Sequence, residues 1–468
     1  MNFTISDILR APHKLSIGFE KHSPKKRINA VSTDSRSVQS GDLFIALRGE
    51  KFDGHTYLKD IASQGAIGAV VSERWYRKNG KSAPKKLCLF VVKDTLQTYG
   101  DLATIYRKKY SIPVLLIAGS NGKTTTKDVT SYVFGASFNV LKTEANYNNH
   151  VGLPRMLFML TPKHDIAILE IGTNHPGEIA RLTEIAQPTH GIITNIGREH
   201  LEFFKNVAGV AKEERALFQY LKKHDGIAFI NTDDGYLRQS AKSFGAEAVT
   251  FGTTIRAQYI ARRNGFSGDG KLKLSIETPA NTLALETNLI ADYAPVVSAS
   301  VTALAKSFGI SNTKIKQRLE EYKPHSKRME IVKIDSGVLV INDCYNANPE
   351  SFDAALNTLS TLPTNGKKYV VAGDMFELGE RSDYEHRDLG RRMAKYHFDG
   401  YYFIGDGMKL ASKQVRKIPK KLNSKHFSSK EDIATALAKI LKEGDIILLK
   451  GSRGMRMERV LEALTTTR

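Results

Sequence analysis

The chain has 468 residues, 41% of them apolar, with 36 glycines, two cysteines and a net charge of +20 from 69 basic and 49 acidic side chains. That length suggests about three domains with ample core, and two cysteines far apart in sequence, Cys88 and Cys344, exclude a disulfide framework or a thiolate metal cluster. No apolar run is long enough to span a bilayer, and the start, MNFTISDILRAPHK, lacks the basic and apolar pattern of a secretory signal. A protein of a reducing cytoplasm is expected, without stable membrane insertion. The basic residues are spread along the chain with no nucleic-acid-binding signature, so the charge points to a solvated surface and polyanionic ligands, and no nucleic-acid partner is expected.

Residues 1–108 read as a small α/β domain. A short strand is predicted over 43–47, a turn at Asp53-Gly54-His55, a helix ending near Gly65, a second strand over 85–93 and a helix over 96–109. Two polar loops flank the first strand, one with Ser35 and Arg36 and the other with Arg48. Arginine pairs bidentately with phosphate, so these loops suit an anionic ligand. A turn closed by an Asp34–Arg36 surface ion pair explains the first of them equally well.

Residues 114–118 form an apolar run, a buried parallel strand, and run into Gly119-Ser120-Asn121-Gly122 and then Lys123-Thr124-Thr125-Thr126-Lys127. A glycine turn between strand and helix presents backbone N–H groups and a helix N-terminus to phosphate. Lys123 is expected on the outer phosphates of ATP and the Thr124 hydroxyl on Mg²⁺. The strict phosphate-loop spacing has four residues between its glycines, whereas this loop has two, Ser120 and Asn121. The central region, 109–324, repeats strand and polar loop, the pattern of a parallel sheet. A strand over 165–169 delivers Glu170, and one over 191–195 leads to Arg198-Glu199-His200. A carboxylate, an imidazole and a threonine hydroxyl suit metal ions bridging phosphate oxygens; a lone His200 is equally a surface or helix-capping residue. The asparagines of 143–150 read as turns or as donors to phosphate. Lys212 reads as a solvated helix lysine. Alternation over 249–290 predicts an antiparallel excursion, followed by helices over 295–308 and 312–322 and a linker at Pro324.

Residues 325–468 restart the alternation, with strands over 338–341, 369–372, 402–404 and 446–449. Each hands over to glycine or polar residues at its carboxyl end, as in a Rossmann-like, doubly wound sheet. No G-x-G-x-x-G follows a strand, so nothing points to a dinucleotide cofactor.

Over essentially its whole length the chain resembles the Mur ligases, the family that builds the peptide stem of bacterial cell-wall precursors. Residues 119–127 are similar to that family's ATP loop, 143–154 to its T-x-x-N-x-N-N-x-[IV]-G-L-P motif, and Glu170-Ile171-Gly172 with 175–179 and 193–202 to its central motifs. Asp343 with YNANP at 345–349, and GDMFELG at 373–379, resemble the branch that adds a D-alanine dipeptide. The Asp-Asn-Pro-Arg motif of the branch adding a diamino acid does not occur in the last domain.

The resemblance implies an α/β protein of three domains: a small UDP-substrate domain at 1–108, a central P-loop-type ATPase domain on a parallel sheet at 109–324, and a Rossmann-like ligase domain at 325–468. It implies an ATP-dependent ligase, monomeric, that converts the terminal carboxylate of UDP-N-acetylmuramoyl-tripeptide to an acyl phosphate and joins it to D-alanyl-D-alanine. Gly119, Ser120, Asn121, Gly122, Lys123, Thr124 and Thr125, with Arg328, Asp343 and Asn346, match the ATP site. Thr124, Glu170, His200 and Lys212, the last as a carbamate, match ligands of two Mg²⁺ ions. Lys123, Asn149, His200 and Lys212 match the catalytic set, and Ser35, Arg36, Arg48, Thr143 and Asn146 the UDP-substrate contacts. Two departures stand out: Val297 where the family carries an asparagine toward adenine, with backbone groups or the Asn346/Asn348 loop as substitutes, and His150 where an acidic residue is common. Three rivals remain: a related amino-acid ligase with another acceptor, a nucleic-acid-stimulated P-loop ATPase and a catalytically silent paralogue.

Overall fold

Three sheets order the chain in a computed structural model that describes residues 1–244, 248–268, 270–324, 327–417 and 423–466. The first sheet holds β1 (Leu15–Ile17), β2 (Val31–Ser32), β3 (Leu43–Ile45), β4 (Gly68–Ser72) and β5 (Cys88–Val92), in the order β1-β5-β4-β3-β2. All neighbours are parallel except β1, which runs against β5. The predicted strands at 43–47 and 85–93 are thus present but shorter, and β1, β2 and β4 were not anticipated. The helix Thr95–Arg107 begins at Asp94, whose carboxylate accepts the N–H groups of Leu96 at 2.8 Å and Gln97 at 3.0 Å, an N-cap. Its apolar face, Tyr99, Leu102 and Tyr106, shares one core with Leu157 and Leu182 of the second sheet's helices.

The second sheet holds β6 (Val114–Ala118), β7 (Val140–Lys142), β8 (Ile166–Glu170), β9 (His190–Ile193), β10 (Ile227–Asn231), β11 (Ala248–Gly252), β12 (Tyr259–Phe266), β13 (Leu272–Glu277) and β14 (Thr282–Thr287). Their order is β14-β13-β12-β11-β10-β9-β6-β8-β7, parallel from β7 to β12 and antiparallel across the last three. The antiparallel excursion predicted from 249 onward therefore starts later. Only β13 and β14 carry the strict alternation of buried and open positions, whereas β11 pairs parallel with β10. Strand β6 lies between β8 and β9, so the chain leaves β6 with one neighbour on each side. The carboxyl ends of these three strands form the crevice where an open parallel sheet places its ligands.

The third sheet holds β15 (Glu330–Lys333), β16 (Leu339–Asp343), β17 (Lys368–Gly373), β18 (Gly400–Ile404), β19 (Ser424–Phe427) and β20 (Ile446–Lys450), in the order β15-β16-β20-β17-β18-β19. The four central strands are those predicted. The edges β15 and β19 were missed because EIVK and SKHF lack an apolar run, as edge strands often do. None of the helices among the described residues is long and apolar enough to cross a membrane.

His190, on β9, rests 4.6 Å from the Phe308 ring and its Nδ1 lies 2.8 Å from the Thr189 hydroxyl. Burial pushes its pKa down to about 4, so it folds as the neutral imidazole. The unfolded chain takes up this proton near about 6.5, so stability is full above that pH and falls as the pH drops toward 4. A His190→Leu variant should show a smaller decrease in melting temperature between pH 7 and pH 5 than the parent chain.

Candidate active site

The chain leaves β6 at Gly119 (φ +112) and enters the helix Lys123–Phe134 through Gly122 (φ +79). A Cβ at Gly119 would stand 2.4 Å from the Thr194 hydroxyl and 2.8 Å from the Thr194 nitrogen, so glycine is required both for its backbone angle and for space. The loop is fastened from below. Gly119 N–H donates to Glu214 Oε2 at 2.8 Å, Ser120 N–H to the Asn195 carbonyl at 2.9 Å, and Asn121 N–H to Asn195 Oδ1 at 2.8 Å.

Lys123 Nζ donates to the carbonyls of Gly119 and, at 3.3 Å, of Ser120, and lies 3.8 Å from Glu199 Oε2. Burial works against its charge. The carboxylates of Glu199, Glu214 and Glu170 outweigh that penalty and hold its pKa above the ordinary lysine value. Burial, reinforced by the Glu199 charge, raises the pKa of Glu214 itself, while the Lys123 ammonium and the Gly119 N–H favour its carboxylate form.

Thr124 donates its hydroxyl to Glu170 Oε2 at 2.8 Å, and Asn148 Nδ2 donates to Glu170 Oε1 at 2.9 Å. Glu170 is buried and its N–H donates to the Thr143 hydroxyl at 2.8 Å. Thr143 lies behind this carboxylate, fully buried, with its carbonyl accepting Lys127 Nζ at 3.0 Å. His200 (φ +46) opens a short helix, and its Nδ1 lies 3.7 Å from Glu377. Lys212 is exposed on the helix Val207–Glu214, while its neighbours Glu213 and Glu214 point inward. Glu213 accepts the N–H groups of Gly177 and Ile179, each at 2.8 Å. The paired oxygens of Thr124 and Glu170 form the hard donor set that magnesium prefers. Among the described residues no three His, Cys, Asp or Glu gather as a metal cluster. Such a site suits an ion that keeps waters and takes its remaining ligands from phosphate.

Two cavities of about 390 Å³ each meet at Lys123, Asn148 and His200. One extends from the glycine loop toward Val297, Arg328, Asp343 and Asn346. The other is polar and is lined by Asn146, Asn149, His150, His175 and Glu178. The Asn149 Oδ1 accepts the N–H groups of Val151 at 3.1 Å and Gly152 at 2.9 Å, closing a turn. Lys212, Ser35, Arg36, Arg48 and Thr143 line neither cavity. Arg36 forks onto Asp34 with bonds of 2.9 and 2.7 Å and holds that carboxyl down to about 2, the local ion pair left open by the sequence.

The third sheet closes the first cavity. Asn348 Nδ2 donates to Asn121 Oδ1 at 2.9 Å, and Arg198 reaches across to Glu350 at 2.5 Å and to the fully buried Glu385 at 3.3 Å. Asp343 pairs with Lys450, whose Nζ also donates to the Asn346 carbonyl at 3.2 Å. The Arg328 guanidinium lies 3.8 Å over the Tyr345 ring. Sequence reasoning missed Glu199, Glu214, Asn195 and Lys450 as site members. Lys450 alone left a signal, a cation closing an otherwise apolar strand; the others are polar residues of ordinary loops and helices.

The model of the Mur ligase middle domain matches residues 117–305, that of the Mur ligase glutamate ligase domain matches 327–453, and that of the Mur ligase family catalytic domain matches 27–105. The chain is 32% identical to the UDP-N-acetylmuramoyl-tripeptide–D-alanyl-D-alanine ligase of Bacillus subtilis, over 93% of each chain. It is 31% identical to the enzyme of that name from Escherichia coli, over 93% of this chain and 94% of the other. Among solved structures, MurF from Acinetobacter baumannii superposes with a TM-score of 0.87 at 28% identity, covering 99% of this chain and 98% of that one. MurF from Thermotoga maritima in complex with ADP gives 0.81 at 28% identity, covering 93% and 97%.

The cross-domain tie is testable. Arg198→Ala removes two charged hydrogen bonds and should weaken docking of the third sheet by about 2 kcal/mol. Small-angle X-ray scattering should then report a larger radius of gyration than the parent's; an unchanged radius would show that Arg198 is not what holds the two bodies together.

Proposed function

This chain belongs to the Mur ligase family, and from that premise we propose that it joins D-alanyl-D-alanine to UDP-N-acetylmuramoyl-tripeptide in peptidoglycan precursor synthesis, driven by ATP. The observation that carries this reading is the cleft in which the glycine loop, Lys123, Thr124 and Glu170 face Asn348, Asp343 and Lys450 of the third sheet. We assign residues 1–108 to the UDP-substrate, 109–324 to ATP and 325–468 to the ligation step, with a monomer working in the cytoplasm.

The tripeptide's terminal carboxylate oxygen attacks the γ-phosphorus of ATP and the bond to the β-phosphate oxygen breaks, giving an acyl phosphate and ADP. The amine of the dipeptide, once deprotonated, attacks the acyl carbon; a tetrahedral centre forms and collapses, an amide is made and phosphate departs. The first step brings anions together. The Lys123 ammonium, kept charged by its three carboxylates, and the N–H groups of the glycine loop supply the opposing charge. We assign Asn149, which lines the second cavity, to the transferring phosphoryl group. Arg328, Asp343 and Asn346 hold the nucleoside side. Thr124, Glu170 and His200 would hold two magnesium ions, which when bound neutralise phosphate oxygens, and Lys212, exposed in this structure, would join them as a carbamate once its side chain turns toward the cleft. We place the uridine nucleotide against Ser35, Arg36 and Arg48, with Arg36 exchanging Asp34 for phosphate, and the sugar-peptide portion near Asn146, with Thr143 behind it.

Phosphate release from ATP should require the UDP-tripeptide and D-alanyl-D-alanine together, with a dipeptide-extended product by mass spectrometry. Release dependent on another amine would keep the family and change the acceptor; no release under any combination would overturn the ligase reading. Lys123→Ala should lower turnover by a factor of 100 or more, roughly the effect of removing a preorganised charge, and leave UDP-tripeptide binding by calorimetry intact. Lys212→Ala should be inactive and partly rescued by short carboxylates such as formate; full activity in that variant would overturn the carbamate assignment.

A further inference from the structure

We propose that the purine of ATP is held in this chain by apolar contact and shape alone, with no side chain hydrogen-bonding to its edge. The inference rests on the ATP-dependent reading above and specifies how that substrate is recognised. The first cavity is polar where Gly122, Lys123 and Thr124 line it and apolar at the end lined by Ile192, Phe251, Val296, Val297, Ala354 and Ala355. A nucleoside triphosphate with its phosphates on the glycine loop lays its base among these side chains, between the helices Ala294–Ser307 and Pro349–Thr361. Removing that flat surface from water supplies binding without any directional bond.

Four of the polar side chains around this end are committed to the protein. Asn231 Nδ2 donates to the Thr194 carbonyl at 2.8 Å and its Oδ1 accepts the Asp233 N–H at 3.0 Å. Ser300 donates its hydroxyl to the Val297 carbonyl at 2.8 Å. Tyr293 shares a hydrogen bond with the Thr125 side chain. Asn348 uses Nδ2 on Asn121 and Oδ1 on the Ser351 N–H at 2.8 Å, so its amide, a substitute reader suggested by the sequence, is bound to the glycine loop and to its own helix. Val297, 5% exposed, lines the cavity with an apolar side chain. An amine buried against these groups gains no partner from them, and a site that reads no hydrogen bond has none to lose when the base lacks one.

Purine riboside 5′-triphosphate, which differs from ATP only in lacking the 6-amino group, separates the alternatives. Each nucleotide displaces a ribose-labelled fluorescent ATP from the full chain in the presence of magnesium, a readout that needs no turnover. The expected result is a Kd for purine riboside triphosphate within about fivefold of that for ATP, or tighter. A greater than fivefold loss would mean that a protein group pairs with the amine, and would overturn the inference while leaving the ligase reading intact. Displacement by neither nucleotide would overturn both. Val297→Asn should make the site selective, raising the ratio of the two constants at least fivefold in favour of ATP, and an unchanged ratio in that variant would overturn the placement of the base at this end of the cavity.

Discussion

An ammonium group must stay charged beneath a glycine loop, where burial favours its neutral form, and much of the site depends on how that is achieved. Unit charges about 4 Å apart attract by about 4 kcal/mol in surroundings of intermediate polarity, so a few well-placed carboxylates reverse the burial penalty on Lys123. Those carboxylates come from three separate stretches of chain: Glu170 from the end of β8, Glu199 from the loop after β9, and Glu214 from the helix beyond it. Glu214 also takes the Gly119 N–H, so the same residue that charges the lysine fixes the turn that presents it. Phosphate binding and loop geometry are therefore not separable properties here. Each depends on strands β6, β8 and β9 lying side by side.

A reactive acyl phosphate has to be kept from water, and the arrangement of the two larger sheets addresses this directly. The loop carrying Arg198 is also the loop carrying Glu199 and His200, so the residue that clamps the third sheet is in covalent register with the charged centre. Asn121, at the tip of the glycine loop, touches Asn348. Movement of the third sheet is thereby reported at the phosphate end of the cleft through two short connections, the kind of coupling that lets closure assemble a site.

Much of this was legible in the chain. Buried strands followed by glycine or polar residues marked the carboxyl edge of both larger sheets, because a parallel strand covered on two faces has to be apolar throughout. The motif at 119–127, with Glu170 at the end of β8 and His200 in the loop after β9, identified one face of the cleft. The short strands and the edges, β1, β2, β15 and β19, were not legible, since half-exposed segments of two to four residues carry no period. Nor were Glu199 and Glu214: a carboxylate in a helix or loop reads as solvated until the fold shows what it faces. The Asp34–Arg36 pair shows the converse, since its two readings differ only in what else stands nearby.

The helix Thr95–Arg107 connects the first sheet to the second, but its buried face packs largely against the second sheet's helices and loops. Tyr106 donates its hydroxyl to the Leu160 carbonyl at 2.7 Å, and the Arg107 guanidinium reaches the carbonyls of Ala186 at 3.2 Å and Ile112 at 2.9 Å. A chimera made by exchanging residues 1–108 with those of another chain would therefore transplant one half of an interface whose other half stays behind. Swapping the first sheet alone calls for a junction before Asp94, so that this helix remains with the sheet that buries it.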